Sequence, residues 1–300
     1  MLAALFDSIP AMIVLTGVLV GAAAALPGVF LVLRGNAMLT DAISHSIVFG
    51  VIMVWLLTRE LSGPVQLIGA GLTGVLTVAL TEALTRTGLV KTDAAIGLVF
   101  SMLFATGILL IGIFARQVHL HADTILLGEI GFVWMRTTPV LGVAVPVSMV
   151  MLGVVLVLNL VFVVLFWKEL KLATFDPALA AALGLAPAAL HYTLLTLTSV
   201  TAVAAFDAVG PVLFIAFVIV PPATALLMTR RLALIVPLAA ALSTIACVSG
   251  YFLAVHWNVA IGGMMATMTG VLFVMVLSMR ALKRQLQHRR PVPGNPAPWP

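Results

Sequence analysis

Nine apolar runs divide this chain, near residues 11–33, 37–57, 64–85, 94–115, 139–166, 190–206, 210–229, 232–255 and 259–280, with charges almost confined to the gaps between them. Each run approaches or exceeds the ~20 residues that a helix needs to cross the hydrocarbon of a bilayer. Of the 300 residues, 63% are hydrophobic and 8% charged, where an average soluble domain carries about 25% charge. Folded in water, such a chain would leave large contiguous apolar patches on its surface. The sequence therefore excludes a soluble globular fold and predicts an all-α, polytopic transmembrane bundle of about nine spans, a single domain over residues 1–280. Counting the first run or the 139–166 region differently gives eight. The stretch Met1–Ala25 has no basic n-region and no small-residue cleavage pattern, so it reads as a retained first span. The one cysteine, Cys247, allows neither an intrachain disulfide nor a CxxC site.

Charge sets the orientation. The formal net charge is +5, and the basic residues gather at the ends of the runs rather than in a nucleic-acid-binding patch. Suppose the tail residues Arg280, Lys283, Arg284, Arg289 and Arg290 are cytoplasmic and the chain alternates sides. Arg34, Arg86, Lys91, Lys168, Lys171, Arg230 and Arg231 then fall on the same side, leaving Arg59, Arg116 and Arg136 outside. That distribution, 12 of the 15 Lys and Arg inside, satisfies the positive-inside rule, and the opposite orientation inverts it. Nine spans then place the N-terminus outside.

Two connections carry further signals. The outer one, 116–138, contains His119, His121, Asp123 and Glu129, and its apolar stretch is too short to span the bilayer. The inner one, 167–189, contains Phe175-Asp176-Pro177, then Ala178 to Leu183, Gly184 and Pro187. Asp176 is a suitable N-cap and Pro177 fits the first helical position, while Gly184 and Pro187 read as a stop, so a short cytoplasmic helix is expected near 176–187. The segment 281–300 reads as a basic, Pro-rich cytoplasmic tail and is expected to be disordered.

Chemistry concentrates at Asp41-x-x-x-His45. Four residues apart on a helix, the two side chains share a face and can ligate one cation, or Asp41 can orient His45. Ionisable groups inside a span are costly and tend to mark a pathway. A carboxylate with an imidazole suits Mn²⁺, Fe²⁺ or Zn²⁺, and a symmetric partner chain would complete four ligands on a two-fold axis. The alternative is a structural hydrogen bond between them. His119, His121 and Asp123 lie on one side of an extended segment, either receiving a cation at the outer mouth or belonging to a solvated loop. Asp207 either lines an outer gate or caps the next helix. Thr92-Asp93 opens the 94–115 helix. Val220-Pro221-Pro222-Ala223-Thr224 removes two backbone donors inside a span and predicts a kink or local unwinding. Glu82 and Arg86 form an ordinary i,i+4 pair, and His191 and His256 read as boundary or structural histidines. No G-x-x-x-x-G-K-[ST], H-E-x-x-H or G-x-S-x-G motif occurs, so if transport is ATP-driven another chain hydrolyses the ATP, and no motif argues for an intramembrane enzyme.

Several motifs in sequence order resemble the membrane permease of the bacterial zinc/manganese/iron ABC importer family (ABC-3 type). They are Leu33-Arg34 with Ala37-Met38 and Asp41-Ala42-Ile43-Ser44-His45; Thr92-Asp93-Ala94-Ala95-Ile96-Gly97-Leu98-Val99-Phe100-Ser101; Phe175-Asp176-Pro177 through Ala182-Leu183-Gly184; and Val209-Gly210-Pro211 through Pro221-Pro222-Ala223-Thr224-Ala225. The resemblance implies a type II importer fold and a dimer with a second copy or a paralogue. It also implies a cytoplasmic ATP-binding subunit and an extracytoplasmic metal-binding protein, in the bacterial cytoplasmic (inner) membrane. It places the transported metal at Asp41 and His45 and ATPase coupling at Phe175, Asp176, Pro177, Leu183 and Gly184. It fits His119, His121 and Asp123 more loosely. The cargo is then a divalent Mn, Zn or Fe ion, with manganese mildly favoured because the pair offers oxygen, limited nitrogen and no thiolate. No permanently bound cofactor is implied. The rival functions are a permease for a metal chelate or vitamin, which would want a wide neutral path, and an ATP-independent ion-coupled carrier.

Overall fold

A computed structural model describes residues 8–59, 64–114, 129–140 and 143–288. In chain order the helices are α1 (Ile9–Leu33), α2 (Ala37–Thr58), α3 (Pro64–Arg86), α4 (Thr92–Phe114), α5 (Val147–Leu165), α6 (Trp167–Phe175), α7 (Pro177–Ala182), α8 (Pro187–Met228), α9 (Leu232–Trp257) and α10 (Ile261–His288). A 3-10 turn, Ile130–Met135, and two short strands, β1 (Thr137–Val140) and β2 (Val143–Pro146), stand between α4 and α5. Seven of these helices, α1, α2, α4, α5, α8, α9 and α10, are long and apolar enough to cross a membrane. The chain is a multi-pass membrane protein.

Helix ends fall where the backbone can leave the right-handed region. Gly35, Gly88 and Gly184 have positive φ just beyond α1, α3 and α7, and Arg59 and Asn258 adopt the left-handed conformation after α2 and α9. Within the helices, hydroxyl groups donate to the carbonyl one turn back, as at Thr16, Ser44, Thr77 and Thr201. Their hydrogen bonds are thus satisfied internally, as an apolar surrounding demands.

Three expectations are corrected. The 139–166 span begins as an antiparallel hairpin, with Thr137 opposite Pro146 and Val140 opposite Val143. Thr and Val favour strands, and prolines at 139 and 146 deny a helix its donors, so α5 starts only at Val147. The fold is a mostly helical bundle, as expected, with one small hairpin beside it. At the other end, α10 runs to His288, past the expected limit at 280, because Ala281 to Gln285 are strong helix formers and the first breaker is Pro291. Third, Pro221-Pro222 do not unwind α8, which continues through them; the break falls at Gly210 (φ 71°, ψ 171°), at the expected boundary between the 190–206 and 210–229 runs. That conformation is nearly exclusive to glycine, and Pro211 disfavours the α region for its predecessor. Gly210 splits α8 into 187–209 and 211–228.

The core gathers around α1, which packs on α8, α9 and α5, while α2 packs between α3 and α4. Small residues let these backbones approach. A Cβ built on Gly21 would lie 2.7 Å from Ser243 Cβ in α9, and one on Gly28 would lie 2.2 Å from the Val218 carbonyl oxygen in α8.

Prolines in the core create unpaired carbonyls, and the fold closes one of them with a distant side chain. Pro27 cannot donate to the Ala23 carbonyl, its normal partner four residues back. Asn159 of α5, 1% exposed, donates through Nδ2 to that oxygen at 3.0 Å and to Thr201 Oγ1 of α8 at 2.9 Å. One amide thus joins α1, α5 and α8. Asn159→Leu keeps the volume but orphans the Ala23 carbonyl. It is expected to lower stability by about 0.6–1.7 kcal/mol, the range for such bonds in membrane bundles, read as a lower unfolding midpoint of the purified protein.

Candidate metal-translocation site

Asp41 and His45 lie in the second and third turns of α2, just after the Gly35-Asn36 turn that joins α1 to α2. Helical periodicity puts them on one face, and His45 Nε2 stands 3.5 Å from Asp41 Oδ1. That is too long for a good hydrogen bond. It matches the bite of a single cation: two ligand atoms each about 2.1 Å from one ion at a tetrahedral angle are about 3.4 Å apart. The same separation also leaves the two side chains as a long i,i+4 pair.

The surroundings are built by α4. Gly107 lets α4 close onto the α2 backbone, since a Cβ there would sit 2.9 Å from the Phe49 nitrogen. One and two turns away, Phe104 and Phe100 flank the His45 ring at centroid distances of 6.0 and 5.7 Å. These aromatics fix the imidazole without offering a competing ligand. Sequence reasoning assigned them no role; their i,i+4 spacing on α4 was the available signal. Both side chains of the pair remain 37% exposed, so the site is open on one side. Among the described residues no group of three or more His, Cys, Asp or Glu stands close enough to hold a metal. A lone pair of ligands leaves most of a coordination sphere to be supplied from elsewhere.

The other expected residues are distributed as follows. His119, His121 and Asp123 lie outside the described residues. Asp207 is not a helix cap: it sits inside α8, one turn before the Gly210 break, and accepts from Arg136 Nη1 at 3.3 Å. The pair ties the start of the hairpin to the break in α8.

The 176–187 segment contains a shorter helix than expected. Asp176 caps α7 by accepting from the Leu179 N–H at 2.9 Å, and Pro177 takes the first helical position. The helix ends at Ala182, Gly184 turns at φ 79°, and Pro187 opens α8 instead of closing α7. Proline suits the first turn of a helix, where its missing N–H has no partner to lose. Phe175, Leu179 and Leu183 are exposed and recur every four residues along α6 and α7. Ala180 is fully buried and roots the unit.

A polar network not anticipated from the sequence anchors this unit to the bundle. Arg34, at the end of α1, donates from Nε to Thr174 Oγ1 of α6 at 3.1 Å and reaches His191 Nδ1 of α8 at 3.2 Å with Nη1. Burial lowers the Arg34 pKa from its ordinary value. Beside it, Glu82 of α3 accepts from Arg86 at 2.6 Å and from the Tyr192 hydroxyl. The pairings Arg34–His191 and Glu82–Tyr192 span more than 100 residues, a separation at which sequence spacing carries no signal. They connect α1, α3, α6 and α8 at the end of the bundle where α2 begins.

The described residues thus form a multi-helix membrane bundle with an ionisable pair on one helix and a short capped helix at one end. Residues 8–280 match the ABC 3 transport family, and the chain belongs to that family. It is 47% identical over 267 residues to the manganese transport system membrane protein MntD of Bacillus subtilis, covering 89% of this chain and 90% of that protein. It is 46% identical over 287 residues to the zinc transport system membrane protein TroD of Treponema pallidum, covering 91% and 78%. Its fold resembles that of PsaBC from Streptococcus pneumoniae, with a TM-score of 0.75, 29% identity, and coverage of 92% of this chain and 95% of the other. The protein is thus a membrane transport subunit of the ABC 3 transport family.

Proposed function

We propose that this chain forms half of the membrane channel of an ATP-driven importer that carries a divalent transition-metal ion into the cytoplasm, manganese being the first choice. The observation that carries the reading is the Asp41–His45 pair, 3.5 Å apart and open on one side, in a chain of this family. A second permease, identical or paralogous, would bring a matching pair and complete four ligands around the ion. An extracytoplasmic metal-binding protein would deliver the cargo, and a separate subunit would hydrolyse ATP. Counting α3 and both segments of α8 gives nine crossings with the C-terminus cytoplasmic, because this orientation keeps most Lys and Arg inside. On this orientation Asp207 and its partner Arg136 lie at the outer end and form part of a gate. His119, His121 and Asp123 stand on the same side as a receiving site. The domain spans 1–280, and 281–300, whose first residues continue α10 to His288, is a cytoplasmic tail.

Transport is by alternating access. The ATPase docks on the exposed row Phe175, Leu179 and Leu183, and its closure moves α6 and α7. The Arg34 contacts pass that displacement to the α1–α2 turn, and so to the helix that carries Asp41 and His45.

The test is uptake of radiolabelled Mn²⁺ and Zn²⁺ in cells expressing the transporter with and without its ATPase subunit. ATPase-dependent uptake of a free ion supports the reading, and the ion accumulated names the cargo. Uptake that persists without the ATPase makes this chain an ion-coupled carrier, and uptake only of a chelate makes it a chelate permease. One further arm addresses coupling. Asp176→Ala removes the α7 cap, a loss of about 1 kcal/mol, and is expected to reduce uptake severalfold at unchanged membrane abundance. Asp176→Asn, which caps equally well, is expected to restore it. Equal loss in both variants would show that the carboxylate charge, not the cap, is what matters.

A further inference from the structure

A cavity of about 370 Å³ opens between α6 and the α8–α9 turn, lined by Trp167, Lys171, Phe175, Arg230, Arg231 and the first residues of α9. It contains neither Asp41 nor His45, and of the proposed coupling row only Phe175 borders it. We propose that it is a binding site for the headgroup phosphate of an anionic phospholipid.

The charge is arranged for an anion. Three cationic side chains converge on the cavity and no acidic residue lines it. Among the described residues, none of the three has an ion-pair partner. The first residues of α9, Leu232 and Ala233, complete the wall, and no side chain caps that helix. Its opening N–H groups therefore add donors and the positive end of the helix dipole to the three cations. The volume is that of a small-molecule site.

The remaining features select a lipid over a free anion. Trp167 opens α6 one residue after α5 ends, at the border of a membrane span, where tryptophan anchors at the headgroup level. Its ring is held edge-on against Phe30 of α1 at 6.3 Å, so this wall of the cavity is preformed. Val157, Val161 and Val164 make an exposed apolar stripe along α5, the helix that ends just before Trp167, and such a stripe offers a bed for an acyl chain. Phe175 supplies a second apolar surface beside the charges. Basic pockets between helices at a cytoplasmic boundary suit acidic headgroups in this way.

The inference rests on the proposed orientation only for its leaflet, the cytoplasmic one. Its test reads lipid binding and not transport, so the two readings fail separately. The full-length protein, purified from membranes in mild detergent and stripped of lipid, is supplemented with phosphatidylglycerol or phosphatidylethanolamine and followed by native mass spectrometry. The expected result is a retained phosphatidylglycerol that inorganic phosphate does not displace, with occupancy at least about 10-fold lower in Lys171→Gln/Arg230→Gln/Arg231→Gln. The charge-conserving Arg230→Lys/Arg231→Lys variant is expected to keep most of the binding. It also guards against a triple variant that fails to fold, as does Arg230→Gln alone, which should show an intermediate loss. Equal retention of both lipids, unchanged occupancy in the Gln variants, or displacement by inorganic phosphate would each overturn the assignment, the last by showing a soluble-anion site.

Discussion

Asp41→Ala and His45→Ala are each expected to reduce metal uptake by about 100-fold or more at matched membrane abundance, with assembly intact. Second-shell partners of a bound metal already cost 10- to 100-fold when removed, and a direct ligand should cost at least as much. The pair supplies only two donors, so losing either halves what this chain contributes to the ion. Their 3.5 Å separation also separates this reading from a structural one. If the two residues only stabilised α2, the variants would lower abundance or the unfolding midpoint while uptake per molecule stayed near wild type. Asp41→Asn refines the test, because it preserves shape and removes the anionic oxygen. It is expected to fail with the alanine variants, whereas a role in hydrogen bonding would leave it active. Unchanged uptake of every metal tested in all three would move the site elsewhere in the bundle.

Gly28→Ala is the substitution expected to damage the fold most. A Cβ at residue 28 would come within 2.2 Å of the Val218 carbonyl oxygen and 3.1–3.2 Å of that residue's carbon atoms, all backbone. No rotamer change relieves such a contact, so α1 and α8 must separate along their principal interface. The reason for the intimacy lies in α8 itself. Pro222 removes the N–H that would otherwise bond the Val218 carbonyl, and Gly28 brings its Cα hydrogens onto that freed oxygen, where a weak C–H···O contact replaces part of what was lost. The neighbouring helix thus covers a carbonyl that lipid would leave unsatisfied. A cost of at least about 2 kcal/mol is expected, visible as a large fall in the unfolding midpoint and in the yield of monodisperse protein. An unfolding midpoint equal to wild type would show that α1 and α8 are not pressed together at this point.

The same pair of helices shows how α8 continues through Pro221-Pro222. A missing donor is tolerable where a packed neighbour covers the freed carbonyl, as α1 does at Val218. Gly210 has no equivalent constraint to keep it helical, and Pro211 pushes it out of the α region. The chain breaks where a glycine precedes a proline, not where prolines are most concentrated.

What the sequence determined by itself was everything that acts within about one helical turn or depends on the length of a run. Apolar runs of span length specified a membrane bundle, four-residue spacing put Asp41 and His45 on one face, and Asp176-Pro177 announced the start of α7. What the tertiary structure alone decided was each arrangement whose partners are remote in the chain. The Ala23 carbonyl is closed by Asn159 from 136 residues away, Arg34 bonds Thr174 and His191 through Nε and Nη1, and the His45 ring is held by aromatics on α4. In an apolar solvent every freed backbone group must find a partner inside the protein, and which side chain provides it depends on how the helices pack. Spacing along the chain does not encode that choice; the contact between helices does.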